Sequence, residues 1–347
     1  MGWACLVILA AAIPLGAAGG VQVTVNESAK RVDISIDGKP FTSYIWPDNV
    51  KKPVLYPIRD ANGTLVTRGW PLEPRPGERV DHPHHVGLWL NHESVNGVDF
   101  WNNSTAIKTA NAPKMGTIVH RRIVSAKSGA TRGELVTESD WVLHDGKVVL
   151  EERTEFGFSG DATSRTIDRT SILTAQKARV LLADAKDGML GLRVARQLEQ
   201  PSKTAEVFTD ISGRKTDVPK LDNTGITGEY LTSEGKKGDD AWGTRGRWCV
   251  LSGKIGDAPV SIAILDHPRN PGYPTYWHAR GYGLFAANPL GQKAFSNGKE
   301  ALNTALEPGQ SATFRYRILV IDGGVTADRL DRAQKAFAQE GTTTASR

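Results

Sequence analysis

Residues 134–158 read ELVTESDWVLH-DG-KVVLEERTEFGF, and this stretch decides the fold class. Apolar and polar side chains alternate in both halves, a pattern typical of strands with one covered face and one solvated face. The dipeptide Asp145-Gly146 between the halves favours the type I′ turn, whose twist matches that of paired antiparallel strands. The segment therefore predicts a β-hairpin with strands at 134–144 and 147–158.

The same alternation recurs along the chain and predicts an all-β protein. It is clear at Val21–Val25 and Val32–Ile36, and further strands are predicted at Ser164–Thr174, Leu190–Gln197, Arg247–Ser252, Val260–Leu265 and Ala312–Ile321. A helix is indicated only near the end, where Thr326 caps a segment whose Leu330, Ala333 and Phe337 share one face. We therefore expect a large antiparallel β-sandwich with one C-terminal helix.

The amino terminus predicts export. Leu6–Ile13 is an unbroken apolar run, and Pro14 and the small residues Gly16–Ala18 follow it. This is the pattern of a signal peptide cleaved after Ala18, and the run is shorter than the roughly 20 residues of a membrane span. We expect a signal peptide at 1–18, a single β-sandwich domain at 19–340, a flexible tail at 341–347, and a periplasmic or secreted location.

Composition narrows the classes of partner. The formal net charge is +5, but the basic residues occur singly or in pairs and form no basic stripe. Neither a nucleic-acid partner nor a membrane span in the mature chain is therefore expected. Cys249 would be the one cysteine left after cleavage, and its apolar neighbours predict a buried, inert thiol.

Polar chemistry gathers in two segments, Asp81–Trp101 and Asp266–Asn288, which hold six of the eight histidines. Histidine titrates closest to neutrality and suits proton transfer, while neutral imidazoles also bind transition metals. Pro83 favours an extended residue before it, so His82 and His84 would project from the same face of an extended piece.

From these segments the sequence predicts a catalytic, sugar-binding site. His84 and His278 are the expected acid/base pair, with Asp266 completing it. The face of a tryptophan side chain next to polar groups is a typical surface for binding a sugar ring. The residues expected to hold a sugar are Trp89, Asn91, Trp277, Arg280 and Asn288. The cofactor is not fixed by the sequence; a divalent metal is the candidate, with His82, His84, His85 and His278 as its ligands.

Four blocks of the chain resemble the bacterial proteins labelled PmoA-like, or methane oxygenase PmoA family. They are Asp81–Trp101, Asp187–Ala195, Asp240–Ser252 and Asp266–Gly291. The resemblance implies exported proteins of bacterial sugar-utilisation systems, found alongside sugar oxidoreductases and keto-sugar-processing proteins. It also implies a fold similar to the galactose-mutarotase supersandwich, although the chain lacks the aldose-epimerase motifs that would imply mutarotation.

Three hypotheses follow for the function. The leading one is a carbohydrate-active enzyme acting on a glycoside or an oxidised (keto) sugar by hydrolysis, elimination or epimerisation, with a small-molecule or oligosaccharide substrate. The second is a non-catalytic sugar-binding or scaffold protein. The third is a metal-dependent oxygenase, as the family label says. A paired-carboxylate glycosidase also stays open, with the acids Glu93, Asp99, Glu151 and Glu152 available.

Overall fold

The structure of the protein is a computed structural model that describes residues 19–340. The expected signal peptide and the expected tail both lie outside the described residues. The described chain is mostly β, as predicted. Its strands are β1 Val21–Asn26, β2 Arg31–Ile36, β3 Lys39–Ile45, β4 Val54–Leu55, β5 Leu88–His92, β6 Thr117–Lys127, β7 Gly133–Val142, β8 Val148–Gly160, β9 Ser164–Ala175, β10 Val180–Leu182, β11 Gly188–Arg193, β12 Glu229–Thr232, β13 Trp248–Ile255, β14 Ala258–Asp266, β15 Tyr276–Arg280, β16 Leu284–Asn288, β17 Thr304–Leu306 and β18 Ser311–Asp322.

Helices are few and short. The helix α1 spans Gln292–Phe295 and α2 spans Ala327–Gln339, and 3-10 turns lie at Glu27–Ala29, Thr109–Lys114, Arg196–Leu198 and Gly238–Ala241. The expected cap of α2 is present, since Oγ1 of Thr326 accepts a hydrogen bond from the backbone of Arg329. Within residues 19–340, none of the helices has the length and apolar character needed to cross a membrane.

Two eight-stranded antiparallel sheets form the body of the protein. The first has the strand order β1-β2-β3-β4-β5-β11-β16-β15, and the second has the order β12-β13-β14-β18-β9-β8-β7-β6. The strands β10 and β17 pair separately. The predicted hairpin is β7–β8 of the second sheet, with Val142 opposite Val148 across the Asp145-Gly146 turn.

The core lies between the sheets and follows from the two-residue period of the strands. In β5, Leu88 and Leu90 belong to the large apolar cluster that joins both sheets, while Trp89 belongs to a smaller cluster with Trp101 and Ala286. Side chains of successive residues point to opposite faces of a sheet. The first sheet is therefore covered on both faces near β5, and the outer cluster provides the base of the site described below.

Candidate functional site

A polar pocket of about 370 Å³ opens beside β15 and the loops that precede β5 and β11. Its volume falls in the range of roughly 300–1,000 Å³ that is usual for small-molecule sites. It is lined by His82, His84, His85, Trp101, Asn102, Lys186, Asp187, His278, Arg280 and Tyr282. The structure thus brings together His84, His278 and Arg280, which the sequence analysis placed in one site.

The strand β15 explains which of its residues reach the pocket. His278 and Arg280 lie two residues apart and both line it, whereas Trp277 and Ala279 lie in the core between the sheets. Trp277 has no exposed surface. The expectation that it supports a sugar ring therefore needs correction, because a residue adjacent to His278 in a strand must point to the opposite face.

Trp89 and Asn91 in β5 are also buried and do not line the pocket. Trp89 is unexposed and packs against Trp101 with 5.2 Å between ring centroids. The side-chain amide of Asn91 donates to the backbone oxygen of Phe100 at 2.6 Å. The expected sugar-binding roles of both are corrected: they support the pocket from below.

Asn288, a third expected sugar ligand, instead holds a loop. Its Nδ2 donates to the backbone oxygens of Ala185 and Lys186, at 2.9 and 2.8 Å, and its Oδ1 accepts from the backbone of Leu290. Asn288 is unexposed, so all these bonds are made in the interior. The side chain therefore positions the segment that presents Lys186 and Asp187 to the pocket.

Asp266 is placed elsewhere, at the end of β14 in the second sheet. Its carboxylate accepts hydrogen bonds from the backbones of His267 and Thr275 and from the side chain of Asn270. It is fully buried and is not part of the pocket lining. The expectation that it completes the pair of His84 and His278 is corrected, since its oxygens are taken up by the loop that leads to β15.

The segment from His82 to His85 is a turn and not an extended piece. The backbone of His85 donates to the oxygen of His82 at 3.0 Å, and His82 has a positive φ of 42°. Pro83, whose ring fixes φ near the value that a turn needs, occupies the position after it. The rings of His82 and His84 nevertheless lie 5.7 Å apart, because the turn folds them towards each other.

Aromatic stacking orders the rings of this turn. The ring of His82 stacks on His85 with 4.8 Å between centroids and on Tyr282 with 4.7 Å. His85 in turn stacks on Trp89. These contacts fix the ring planes of two of the three histidines, so the wall of the pocket is rigid.

Two buried arginines hold the turn on the side away from the pocket: Arg68 contacts its backbone, and both contact the side chain of Asp81. Arg68 donates to the backbone oxygens of Asp81, His82 and His85, each at 3.0 Å. Arg68 and Arg193 also share Oδ1 of Asp81, at 2.5 and 2.7 Å. Burial alone would raise the pKa of Asp81, but Arg193, a hydrogen bond from His82 and Arg68 hold it well below the usual range. Asp81 is therefore a permanent anion between two guanidinium groups.

His84 and His85 are neutral at the pH at which histidine normally titrates. Burial, with the nearby charge of Lys52, lowers the pKa of His84 to about 2, and burial lowers that of His85 well below its ordinary value. Arg193 donates to Nδ1 of His85 at 3.4 Å, which leaves the proton of the neutral ring on Nε2. Within the described residues this buried Nε2 has no hydrogen-bond partner.

Asp187 and His278 form an acid–imidazole contact in which both residues line the pocket. The shorter contact of 2.9 Å between His82 Nδ1 and Asp81 Oδ2 involves an acid that is not part of the lining. Oδ1 of Asp187 lies 3.3 Å from Nδ1 of His278, although the two atoms are not aligned for a hydrogen bond. Burial raises the pKa of Asp187, and burial together with the charges of Arg280 and Lys186 lowers that of His278 to about 3. The carboxylate is thus more basic than usual, and the imidazole is neutral.

The expected metal centre is not supported. In the described range 19–340, no three His, Cys, Asp or Glu side chains are placed to share one ion. The ring planes of His82 and His85 are parallel and stacked, and Arg193 already donates to a nitrogen of His85. Stacked imidazoles next to buried guanidinium groups do not converge on a cation, so His82, His84, His85 and His278 do not fit a divalent metal.

Several pocket residues were not singled out from the sequence. Lys186 and Asp187 come from the loop before β11, and Tyr282 follows β15. Trp242, whose polar sequence surroundings do indicate a surface for binding a sugar ring, lies beside the pocket with its ring centroid 6.5 Å from that of His278. Trp242 is 37% exposed, and the guanidinium of Arg280 lies over its ring. The available sequence signals were the resemblance block that begins at Asp187 and the polar surroundings of Trp242.

The chain belongs to the family of unknown function DUF6807, whose profile matches residues 31–335. No curated protein is detectably similar to it in sequence. This match does not show the PmoA-like label, and the family that it does show is one of unknown function.

Several solved structures are similar to the chain, at TM-scores below 0.5 and at low sequence identity. The GH36 alpha-galactosidase AgaB from Geobacillus stearothermophilus has a TM-score of 0.39 and 12% identity, with 87% of this chain and 41% of that chain covered. A galactose mutarotase-like protein from Clostridium acetobutylicum has a TM-score of 0.31 and 8% identity, with 87% and 98% covered. The Slr1438 protein from Synechocystis sp. PCC 6803 has a TM-score of 0.32 and 10% identity, with 90% and 99% covered. The chain spans about two fifths of the galactosidase, and its fold is similar to galactose-mutarotase-like folds.

Proposed function

We propose that this member of the DUF6807 family is an exported carbohydrate-active enzyme that acts on an oxidised (keto) sugar or its glycoside. The reaction is a proton transfer next to the carbonyl, followed by epimerisation or elimination. The observation that carries the proposal is the contact of 3.3 Å between Asp187 Oδ1 and His278 Nδ1 inside a pocket of about 370 Å³.

Unsatisfied polar atoms support a ligand in this pocket. Nε2 of His85 and Nδ1 of His278 are buried, and neither has a hydrogen-bond partner among residues 19–340. An unpaired buried donor or acceptor costs about 1–3 kcal/mol. Both atoms belong to lining residues, and the hydroxyl and carbonyl oxygens of a sugar are the groups that would satisfy them.

The protonation states assign the roles. A base must accept a proton at neutral pH, and Asp187 is the lining carboxylate, with a pKa raised by burial. His278, which was expected to be a base or acid, is neutral and suited to polarise the substrate carbonyl through a hydrogen bond. His84 is neutral as well and would bind a hydroxyl group.

The chemistry balances without an added reactant. Asp187 takes the proton from the carbon next to the carbonyl, and the electron pair moves onto the carbonyl oxygen as an enolate. Lys186, whose Nζ lies 3.6 Å from Oδ2 of Asp187, stabilises this negative charge. Return of the proton to the other face of the carbon gives the epimer. In the alternative outcome, elimination, the electron pair of the enolate oxygen re-forms the carbonyl, and a double bond forms between the carbon that lost the proton and the carbon beyond it. The substituent on that further carbon leaves with its bonding electrons and takes the proton from Asp187.

Hydrogen–deuterium exchange tests the proposal. The protein would be incubated in D₂O with methyl 3-keto-glucoside or with methyl glucoside, and the signals of the sugar protons would be followed by NMR. We expect exchange next to the ketone and none in the parent glucoside. Asp187→Asn should slow the exchange at least about 100-fold, the lower end of a general-base contribution. The matched control Asp257→Asn alters an exposed carboxylate and should leave the rate unchanged. Exchange no faster than in buffer would overturn the proposal.

A non-catalytic sugar-binding protein is the second candidate. The stacking of His82 on both His85 and Tyr282 favours it, because these contacts give the histidines a structural role without any turnover. It predicts that the same keto sugar raises the melting temperature while its protons exchange no faster than in buffer.

A further inference from the structure

The pocket carries more positive than negative charge on its walls. Its lining contains the cations Lys186 and Arg280 and one carboxylate, Asp187. Nζ of Lys186 lies 3.6 Å from Oδ2 of Asp187, so the charges of these two side chains compensate each other. Arg280 is left as the unbalanced charge of the lining.

Arg280 is held by aromatic faces and not by an acid. Its guanidinium lies 5.5 Å from the ring centroid of Trp242 and 5.7 Å from that of Tyr282. Across residues 19–340, no carboxylate lies within ion-pair distance of it. A guanidinium that is oriented by rings and keeps its hydrogen-bond donors free is prepared to bind a planar anion through two parallel bonds.

Buried charges behind the pocket add to the positive electrostatic potential inside it. Behind the pocket, the four guanidinium groups of Arg68, Arg79, Arg193 and Arg196 contact three carboxylates, which leaves one positive charge in excess. These carboxylates belong to Asp81, Glu199 and Glu206. Lys52 is also buried, which lowers its pKa to about 7, and its Nζ donates to the backbone oxygen of His84 at 2.7 Å. Low-dielectric walls lined by one sign of charge concentrate ligands of the opposite sign.

We infer that the pocket selects a sugar that carries a carboxylate group, with this carboxylate bound by Arg280 and the sugar ring directed towards His84 and His85. The inference rests on the proposed function, in that the pocket takes a sugar. Arg280 at the rim and the neutral imidazole of His85, whose Nε2 has no partner among residues 19–340, would contact the two ends of the same ligand. A sugar acid offers both an anion and hydroxyl groups, whereas a neutral sugar would leave Arg280 without a partner.

Matched pairs of ligands test the inference. Binding of glucuronate would be compared with glucose, and of galacturonate with galactose, by calorimetry on the protein without its expected signal peptide. We expect at least one acid to bind 10-fold or more tightly than its neutral partner. Arg280→Gln should reduce this preference to less than about threefold, while the exposed control Arg332→Gln should keep it.

The outcomes separate the inference from the proposed function. If a neutral sugar binds as tightly as its acid, the carboxylate inference fails and the sugar pocket stands. If sulfate or acetate alone competes as strongly as the sugar acid, the site recognises only an anion and the inference also fails. If neither acids nor neutral sugars bind, and the keto glucoside shows no exchange, both are overturned. Arg280→Gln removes an exposed side chain, so unchanged thermal unfolding would confirm that its effect is on binding.

Discussion

Nη2 of Arg193 donates to Oδ1 of Asp81 across 2.7 Å, and the arginine side chain has no exposure to solvent. The same oxygen accepts from Arg68, whose side chain is 1% exposed. One carboxylate oxygen is therefore shared by two buried guanidinium groups, of which Arg193 also lies 3.9 Å from Oε1 of the buried Glu199. Because Arg68 also holds the backbone of the turn at His82 and His85, this group of charges couples the stability of the protein to the shape of its pocket.

We expect Asp81→Asn to destabilise the protein by about 3–5 kcal/mol, since it leaves the buried guanidinium group of Arg68 without its counterion. The free energy of unfolding in urea measures this effect. The control Asp217→Asn alters an exposed carboxylate and should stay within about 0.5 kcal/mol of the wild type. A loss of less than 1 kcal/mol in Asp81→Asn would show that the guanidinium groups reach water.

A substitution at Gly191 tests whether the rings of Trp89 and Trp101 are fixed beneath the pocket. A Cβ atom at Gly191 would lie 2.6 Å from Cε2 of Trp89 and 2.9 Å from Cη2 of Trp101. Gly191→Ala should therefore cost about 1–3 kcal/mol of stability through overpacking. Gly324→Ala is the matched control because its Cβ meets no atom within 4 Å. Equal thermal unfolding of the two variants would contradict a rigid base under the pocket.

The strands could be predicted from the sequence because alternation is a local property. The hairpin 134–158 and the strands that follow it were predicted close to their observed bounds. The same rule explains an error. Trp277 and His278 were both assigned to the site, although neighbours in a strand point to opposite faces. The polar sequence around Trp277 resembles a loop, so the rule was not applied to it.

The partners of the histidines could not be predicted, because they depend on the order of strands. His85 and Arg193 are 108 positions apart, and they meet because β11 pairs with β5. Asp187 reaches His278 because β11 lies next to β16, which pairs with β15. Local patterns give the strands but not this order. The acid expected beside His278 was therefore Asp266, which is nearby in sequence but lies in the other sheet.

Asp266 predicts a measurable dependence of stability on pH. Burial raises its pKa from 3.8 to about 7, although hydrogen bonds from Asn270, Thr275 and His267 act in the opposite direction. The folded protein thus keeps a proton that the unfolded chain loses near pH 4. The stability that Asp266 contributes is present in full below about pH 4 and is lost as the pH rises to about 7.

We therefore expect the difference in free energy of unfolding between the wild type and Asp266→Asn to change by on the order of 4 kcal/mol over this range, at about 1.4 kcal/mol per pKa unit. The wild type should have its greatest advantage at acid pH. Urea unfolding of both proteins at several pH values from 4 to 8 measures the change. A difference that is constant with pH would contradict a raised pKa for Asp266.

Trp242 has the exposed ring beside the pocket that the sequence predicted for Trp89 and Trp277. It is 37% exposed, lies edge-on to His278, and supports the guanidinium of Arg280 on its face. If the pocket binds a sugar, the open face of this ring is the platform for it. We expect Trp242→Leu to weaken sugar binding about 10-fold, because it removes both the ring face and the support of Arg280.

Calorimetric titration with the sugar that binds the wild type measures this loss, and thermal unfolding of the variant should change little. Trp277→Leu provides the contrast, since Trp277 has no exposed surface and lies in the core between the sheets. That variant should lose about 2–4 kcal/mol of stability but bind normally while it remains folded. The reverse result, in which Trp277→Leu weakens binding in the folded protein and Trp242→Leu does not, would place the sugar on the other face of the first sheet.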